Sequence, residues 1–175
     1  MNWTDSLYFF LPGYVFSPTD EELVRHYSMK MILNQPLSWP NIIQDLDIYE
    51  YSPKQLNDMF QRKEYERELY FFTPRNKRYR NGSRPARFAG KGFWKATGGD
   101  RPVPKDSPTI GYEKALVFYE GKPQKRPTKT NWIMHEYRLL SKNIEPNVIN
   151  PRTATKATGA PDGNMKVYTS FIYTG

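Results

Sequence analysis

The residues whose types and spacing could do chemistry lie between Arg75 and Arg101. Nine lysines and arginines stand there against a single acid, Asp100. The window therefore carries +8, which equals the formal net charge of the whole 175-residue chain. Residues 1–74 hold six basic and eleven acidic side chains, and residues 102–175 hold eleven and six, so the flanks cancel. A solvated surface scatters its charges, whereas a concentrated excess is the footprint of a site for a polyanion. Inside the window, Gly90-Lys91-Gly92-Phe93-Trp94-Lys95-Ala96-Thr97-Gly98-Gly99 reads as a short strand with glycines on both sides. Alternation places Phe93, Lys95 and Thr97 on one face and Trp94 and Ala96 on the other. Glycines beside a strand mark a bulge or a close approach by another backbone. Trp94 reads as a core anchor, and Lys95, on the opposite face, as the contact residue. A second basic stretch, Gly121 to Lys129, contains no acid. It is open to phosphate contact, to use as a nuclear import signal, or to a plain role in solubility.

Other chemistries find little support. There are no cysteines, which excludes disulfides and thiolate zinc sites. The two histidines, His26 and His135, have no ligand residues clustered around them in sequence and read as structural. Gly90-Lys91-Gly92 lacks the Gly-Lys-Ser/Thr of a phosphate loop. Asp45 and Asp47 share one side of an expected strand, but surface charge or turn bonding explains them better than a metal or catalytic pair. No enzyme and no cofactor is expected. No apolar run approaches membrane-spanning length, so no membrane partner is expected. Leu7 to Phe16 is apolar but has no basic start, which argues against an export signal. The chain reads as intracellular.

These residues need a frame to position them. Fifteen prolines and eleven glycines point to many turns and away from a helical bundle. Thr19 and Glu22 form a capping box that starts a helix running to Leu33, with Leu23, Tyr27 and Met31 as its core stripe beside Val24. Asn34-Gln35-Pro36 ends it. Asp45 to Tyr49 reads as a strand and Pro53 to Met59 as a brief helix. Further strands are expected at Leu69–Thr73, Phe93–Thr97, Lys114–Tyr119 and Thr130–Leu139, with Arg101–Pro108 a proline-rich loop. Val167 to Tyr173 alternates weakly and reads as a last strand. An early helix followed by mostly antiparallel strands makes an α+β fold.

The segments Leu11-Pro12-Gly13-Tyr14-Val15-Phe16, Pro18-Thr19-Asp20-Glu21-Glu22-Leu23, Trp94-Lys95-Ala96-Thr97-Gly98, Lys114-Ala115-Leu116-Val117-Phe118-Tyr119 and Lys129 to Leu139 resemble the plant NAC domain, a family of sequence-specific transcription factors. The resemblance implies a twisted antiparallel sheet packed against an N-terminal helix and a second short helix, and a nuclear protein. It gives residues 1–10 as an N-terminal extension, 11–140 as the DNA-binding core, and 141–175 as loop plus a degraded last subdomain. It implies a strand entering the major groove edge-on to read double-stranded DNA with a CGT-containing core. Matching positions put Arg84, Arg87 and Lys95 at the DNA. With their neighbours, the DNA-binding set becomes Lys77, Arg78, Arg84, Arg87, Lys91, Lys95, Thr97, Arg101, Lys125 and Lys129. The implied dimer interface is Leu11, Pro12, Gly13, Tyr14, Val15, Phe16 and Glu22.

Two departures from the family pattern matter. An arginine that pairs with the glutamate at Glu22 across the dimer is replaced here by Val15. A weakened homodimer, or a heterodimer with other NAC domain proteins, is therefore expected. Roughly 35 residues follow Leu140, with no visible activation region. This keeps open an alternative: a DNA-weak interaction module that heterodimerises with related NAC proteins and antagonises them. A single-stranded nucleic-acid binder is a further alternative, because aromatics are interleaved with cations.

Overall fold

The computed structural model describes residues 16–33, 35–37, 43–60, 68–73, 87–140 and 168–174. The first helix, α1, begins where the sequence places it. Thr19 has extended backbone, and its hydroxyl accepts from the Glu22 N–H at 3.3 Å. The Thr19 N–H donates back to Glu22 Oε2 at 2.7 Å, which completes the capping box. The helix runs as α-helical Asp20–Glu22, π-helical Leu23–Ser28 and α-helical Met29–Ile32. The π segment corrects the expected stripe. Its wider turn lets the Ser28 hydroxyl donate to the Leu23 carbonyl at 2.8 Å. Leu23, Val24, Ser28 and Ile32 are buried, while Tyr27 and Met31 are half-buried.

The expected strand Asp45–Tyr49 is shorter than the sequence suggests. Only Gln44–Asp45 (β1) pairs, in parallel, with Phe71 and Phe72. The Asp47 carboxylate then accepts from the Tyr49 N–H at 3.1 Å and turns the chain into the 3₁₀ helix Ile48–Glu50. An aspartate that can bond the backbone two residues on favours such a turn over a strand. Helix α2, Pro53–Phe60, follows a second reciprocal cap between Ser52 and Gln55.

Seven further strands complete one sheet: β2 Glu68–Thr73, β3 Arg87–Ala89, β4 Gly92–Ala96, β5 Arg101–Val103, β6 Gly111–Glu120, β7 Thr128–Leu139 and β8 Tyr168–Thr174. Their order is β1-β2-β8-β7-β6-β4-β3, with β5 paired to β6, and only β1 and β2 run parallel. One result differs from the sequence reading. Arg101–Val103 is a strand rather than part of a loop, with Arg101 opposite Glu113 and Pro102 opposite Tyr112. A proline is tolerated in a short outer strand, where its missing N–H costs no interior ladder bond. The last strand, whose place in the sheet the sequence left open, lies between β2 and β7.

Both faces of the sheet are covered. Leu23, Val24 and Ile32 of α1 pack with Tyr70, Phe72, Tyr137 and Leu139 on one face. Ile48 and Leu56 pack with Phe71, Ala89, Trp94, Phe118 and Met134 on the other. This is the α+β arrangement of a largely antiparallel sheet between an N-terminal helix and a second short helix.

Candidate nucleic-acid interface

Strands β3 and β4 form a hairpin at the edge of the sheet, with Arg87 opposite Trp94, Phe88 opposite Phe93 and Ala89 opposite Gly92. Gly92 has no room for a side chain, since a Cβ there would collide with the Tyr119 carbonyl and the Phe118 ring. Gly98 and Gly99 are different. A Cβ on either would meet nothing within 4 Å, so packing inside this chain does not demand glycine there. These two positions leave the backbone bare toward solvent just after β4.

Side chains alternate as expected. Trp94 is buried against Phe118, with ring centroids 5.1 Å apart, so it is the core anchor the sequence suggests. Lys95 and Thr97 are exposed. Lys95 Nζ lies 5.6 Å from the centre of the Tyr119 ring. The N–H of Thr97 and its hydroxyl both donate to the Ala115 carbonyl, at 3.0 and 3.3 Å.

The turn holding Lys91 does not stand alone. The Gly121 N–H donates to the Lys91 carbonyl at 3.0 Å, which sets the β3–β4 turn beside the loop between β6 and β7. Two basic stretches some thirty residues apart in sequence thus share one end of the sheet. That end carries Lys91, Lys122, Lys125, Arg126 and Lys129, all exposed. Among the described residues, no carboxylate pairs with any of these five or with Lys95.

The two described arginines of the expected DNA-binding set, Arg87 and Arg101, behave otherwise. Arg87 points to the Trp94 side of the sheet, where its guanidinium lies 2.5 Å from the Glu136 carboxylate. Burial pushes the Glu136 carboxyl up from its usual range, against the opposing pull of Arg87, Lys114 and Arg138. Arg101 donates to the buried Glu113 carboxylate at 2.5 Å, and His135 Nδ1 lies 2.5 Å from the other oxygen. Burial alone would raise the Glu113 carboxyl, yet the bonds from Arg101 and His135 hold it below its usual value. Asp100, the one acid of the basic window, is bonded by Lys114 and Arg138. Ion pairing therefore separates Arg87, Arg101, Lys114 and Arg138, which are held by carboxylates, from Lys91, Lys95, Lys122, Lys125, Arg126 and Lys129, which are not.

A model of the family described as No apical meristem (NAM) protein matches residues 11–139. The chain belongs to this family. Among curated proteins it is 54% identical over 139 residues to NAC domain-containing protein 68 of Oryza sativa subsp. japonica, covering 77% of this chain and 42% of the relative. It is 55% identical over 130 residues to NAC transcription factor 32 of Arabidopsis thaliana, covering 74% and 49%. With Protein ATAF2 of Arabidopsis thaliana it shares 51% over 129 residues, covering 74% and 44%. The chain spans less than half the length of these relatives.

For a NAM-family chain, the structure reaches part of the sites named from sequence. Lys77, Arg78 and Arg84 lie outside the described residues, as do Leu11, Pro12, Gly13, Tyr14 and Val15. Phe16 packs edge-on against Tyr27 and Tyr70, at 5.5 and 5.0 Å between ring centres. Glu22 is exposed, and the two Thr19 donors of the capping box hold its carboxyl below the usual range. Two residues of the site escaped the sequence reading. Glu136 had a signal, because it falls two residues from Met134 on the buried side of β7, and a carboxylate at a core position needs a cation. Phe88 had none, since its exposure follows from the hairpin's place at the sheet edge. Among the described residues, no group of three or more His, Asp and Glu could hold a metal ion. No described helix is long and apolar enough to cross a membrane.

Proposed function

We propose that this chain is the DNA-binding part of a plant transcription factor, acting in the nucleus without catalysis or cofactor. It reads double-stranded DNA bearing a CGT-containing core. The β3–β4 edge enters the major groove, a groove wide enough for a two-stranded ribbon. The observation that carries this reading is the convergence of free lysines beside that edge, brought about by the bond between Gly121 and Lys91. Lys95 projects from β4 toward the bases; Arg84 and Arg87 are the other matching family positions, with Arg87 on the opposite face of the sheet in its pair with Glu136. Lys77, Arg78, Lys91, Thr97, Arg101, Lys125 and Lys129 serve the phosphates. The open backbone at Gly98 and Gly99 suits close approach by a polyanion. The relatives named as NAC transcription factors support the role. The protein acts as a weakened homodimer or as a heterodimer with other NAC domain proteins, with residues 11–140 as its DNA-binding core.

Fluorescence anisotropy on a CGT-core duplex and a scrambled duplex across a salt series tests the reading. Preference for the core of about a thousandfold or more is expected, with a salt slope that counts neutralised phosphates. Lys95→Ala should reduce that preference by about 1–3 kcal/mol if the lysine meets a base edge. Equal, salt-sensitive binding to both duplexes would instead favour the module that pairs with relatives and antagonises them.

A further inference from the structure

Phe88 is 46% exposed, one of two large apolar side chains among the described residues that are exposed to this degree. It sits on the edge strand, between Arg87 and Ala89, whose side chains turn to the opposite, packed face. Its ring makes an edge contact with Phe93, at 6.4 Å between centres and 64° between planes. Phe93 in turn stacks on Tyr119, at 5.5 Å and 14°. The three paired positions form a row of aromatic rings across β3, β4 and β6. Lys129 continues the row on β7 through its pairing with Tyr119. Lys95 bears on Tyr119 from the next position along the same face. The row thus ends at the sheet edge in a half-exposed phenyl ring and is bordered by free cations.

An exposed phenyl on an open strand edge is an aggregation hazard when nothing is to cover it. The lysines around it favour an occupant with negative charge on its rim and an apolar feature between. Duplex DNA has that pattern in the major groove, where the thymine 5-methyl is the apolar group on the base edges. We propose that Phe88, held by Phe93 and Tyr119, is a specificity-determining residue that reads a thymine methyl group beside the core sequence. This rests on the DNA-reading function above and assigns one side chain to one chemical group.

The test titrates the full chain onto CGT-core duplexes in which each flanking thymine is replaced in turn by deoxyuridine. That change removes the methyl and leaves the hydrogen-bonding edge intact. Wild type should weaken about fourfold at one or two positions, the worth of one buried methyl group. Phe88→Ala should bind the thymine duplex correspondingly less well and lose nothing more on deoxyuridine. Phe88→Leu should keep its sensitivity to the methyl. Both variants should keep the wild-type melting temperature and salt slope, because the ring lies outside the core and carries no charge. If wild type is indifferent to every methyl while still preferring the CGT core, the assignment of Phe88 fails and the DNA-reading function stands. It fails equally if Phe88→Ala remains as methyl-sensitive as wild type, or if single-stranded oligothymidine competes better than the duplex through the same ring. Absence of any core preference would remove the function itself and the assignment with it.

Discussion

Arg87 has 16% of its side chain exposed, and its partner Glu136 has 6%. Removing one member of such a pair leaves an uncompensated charge out of water. Arg87→Ala should therefore cost about 3–5 kcal/mol of stability, whereas Lys95→Ala, on an exposed position, should stay within about 0.5 kcal/mol of wild type. Replacing both partners, as Arg87→Met with Glu136→Met, should recover most of the loss, because apolar side chains of similar volume need no counter-charge. Urea unfolding measures all three. An Arg87→Ala chain as stable as wild type would show that the pair is not anchoring the hairpin. The comparison also separates two effects that a binding assay merges, a lost contact to DNA and a loosened edge strand. From sequence, Arg87 and Lys95 look alike as cations in a basic window. Only the pairing of Arg87 with Trp94 in the ladder turns one inward and leaves the other free.

Among the elements, β8 carries a weight that its sequence hides. Tyr168–Thr174 pairs with β2 along Glu68–Thr73 and with β7 along Trp132–Arg138, so it joins the two halves of the sheet. Deleting residues 165–175 would open two strand edges at once. We expect the shortened chain to lose its cooperative thermal transition or to aggregate, as unpaired edges do. A circular-dichroism melt with light scattering checks this, and an unchanged transition in a monomer would mean that β2 and β7 close without it. The weak alternation of β8 has a physical reason. Clean alternation marks a sheet with one wet face, and here helices cover both faces. The elements with local punctuation were the legible ones. Thr19 with Glu22 announces the start of α1 through bonds made within four residues, and Pro53 suits the first position of α2. The π segment of α1 and the strand at Arg101–Val103 depend on what packs beside them, so local signals miss them.

At the scale of the whole molecule, the proposal to test is association with a second chain. Glu22 spends its carboxylate on Thr19 of its own chain, and position 15 supplies valine where the resemblance implies arginine. Val15→Arg should strengthen self-association, by roughly fivefold or less if the new pair is exposed. Sizing with light scattering across a dilution series measures the change. A wild-type homodimer that persists at nanomolar concentration and gains nothing from the substitution would overturn the weakened-dimer reading.

The sequence by itself determined the charge window, the cap of the first helix, the alternation of β4 and the membership of the family, because each is written in neighbouring residues or in the order of motifs along the chain. Tertiary structure decided which cations are free. Lys91 and the Gly121–Lys129 loop become one surface only when the β3–β4 turn bonds to the end of β6. Arg87 and Arg101 are paired with carboxylates 49 and 12 residues away. Charge can be counted along a chain, but its partners are chosen by the sheet that folds them together.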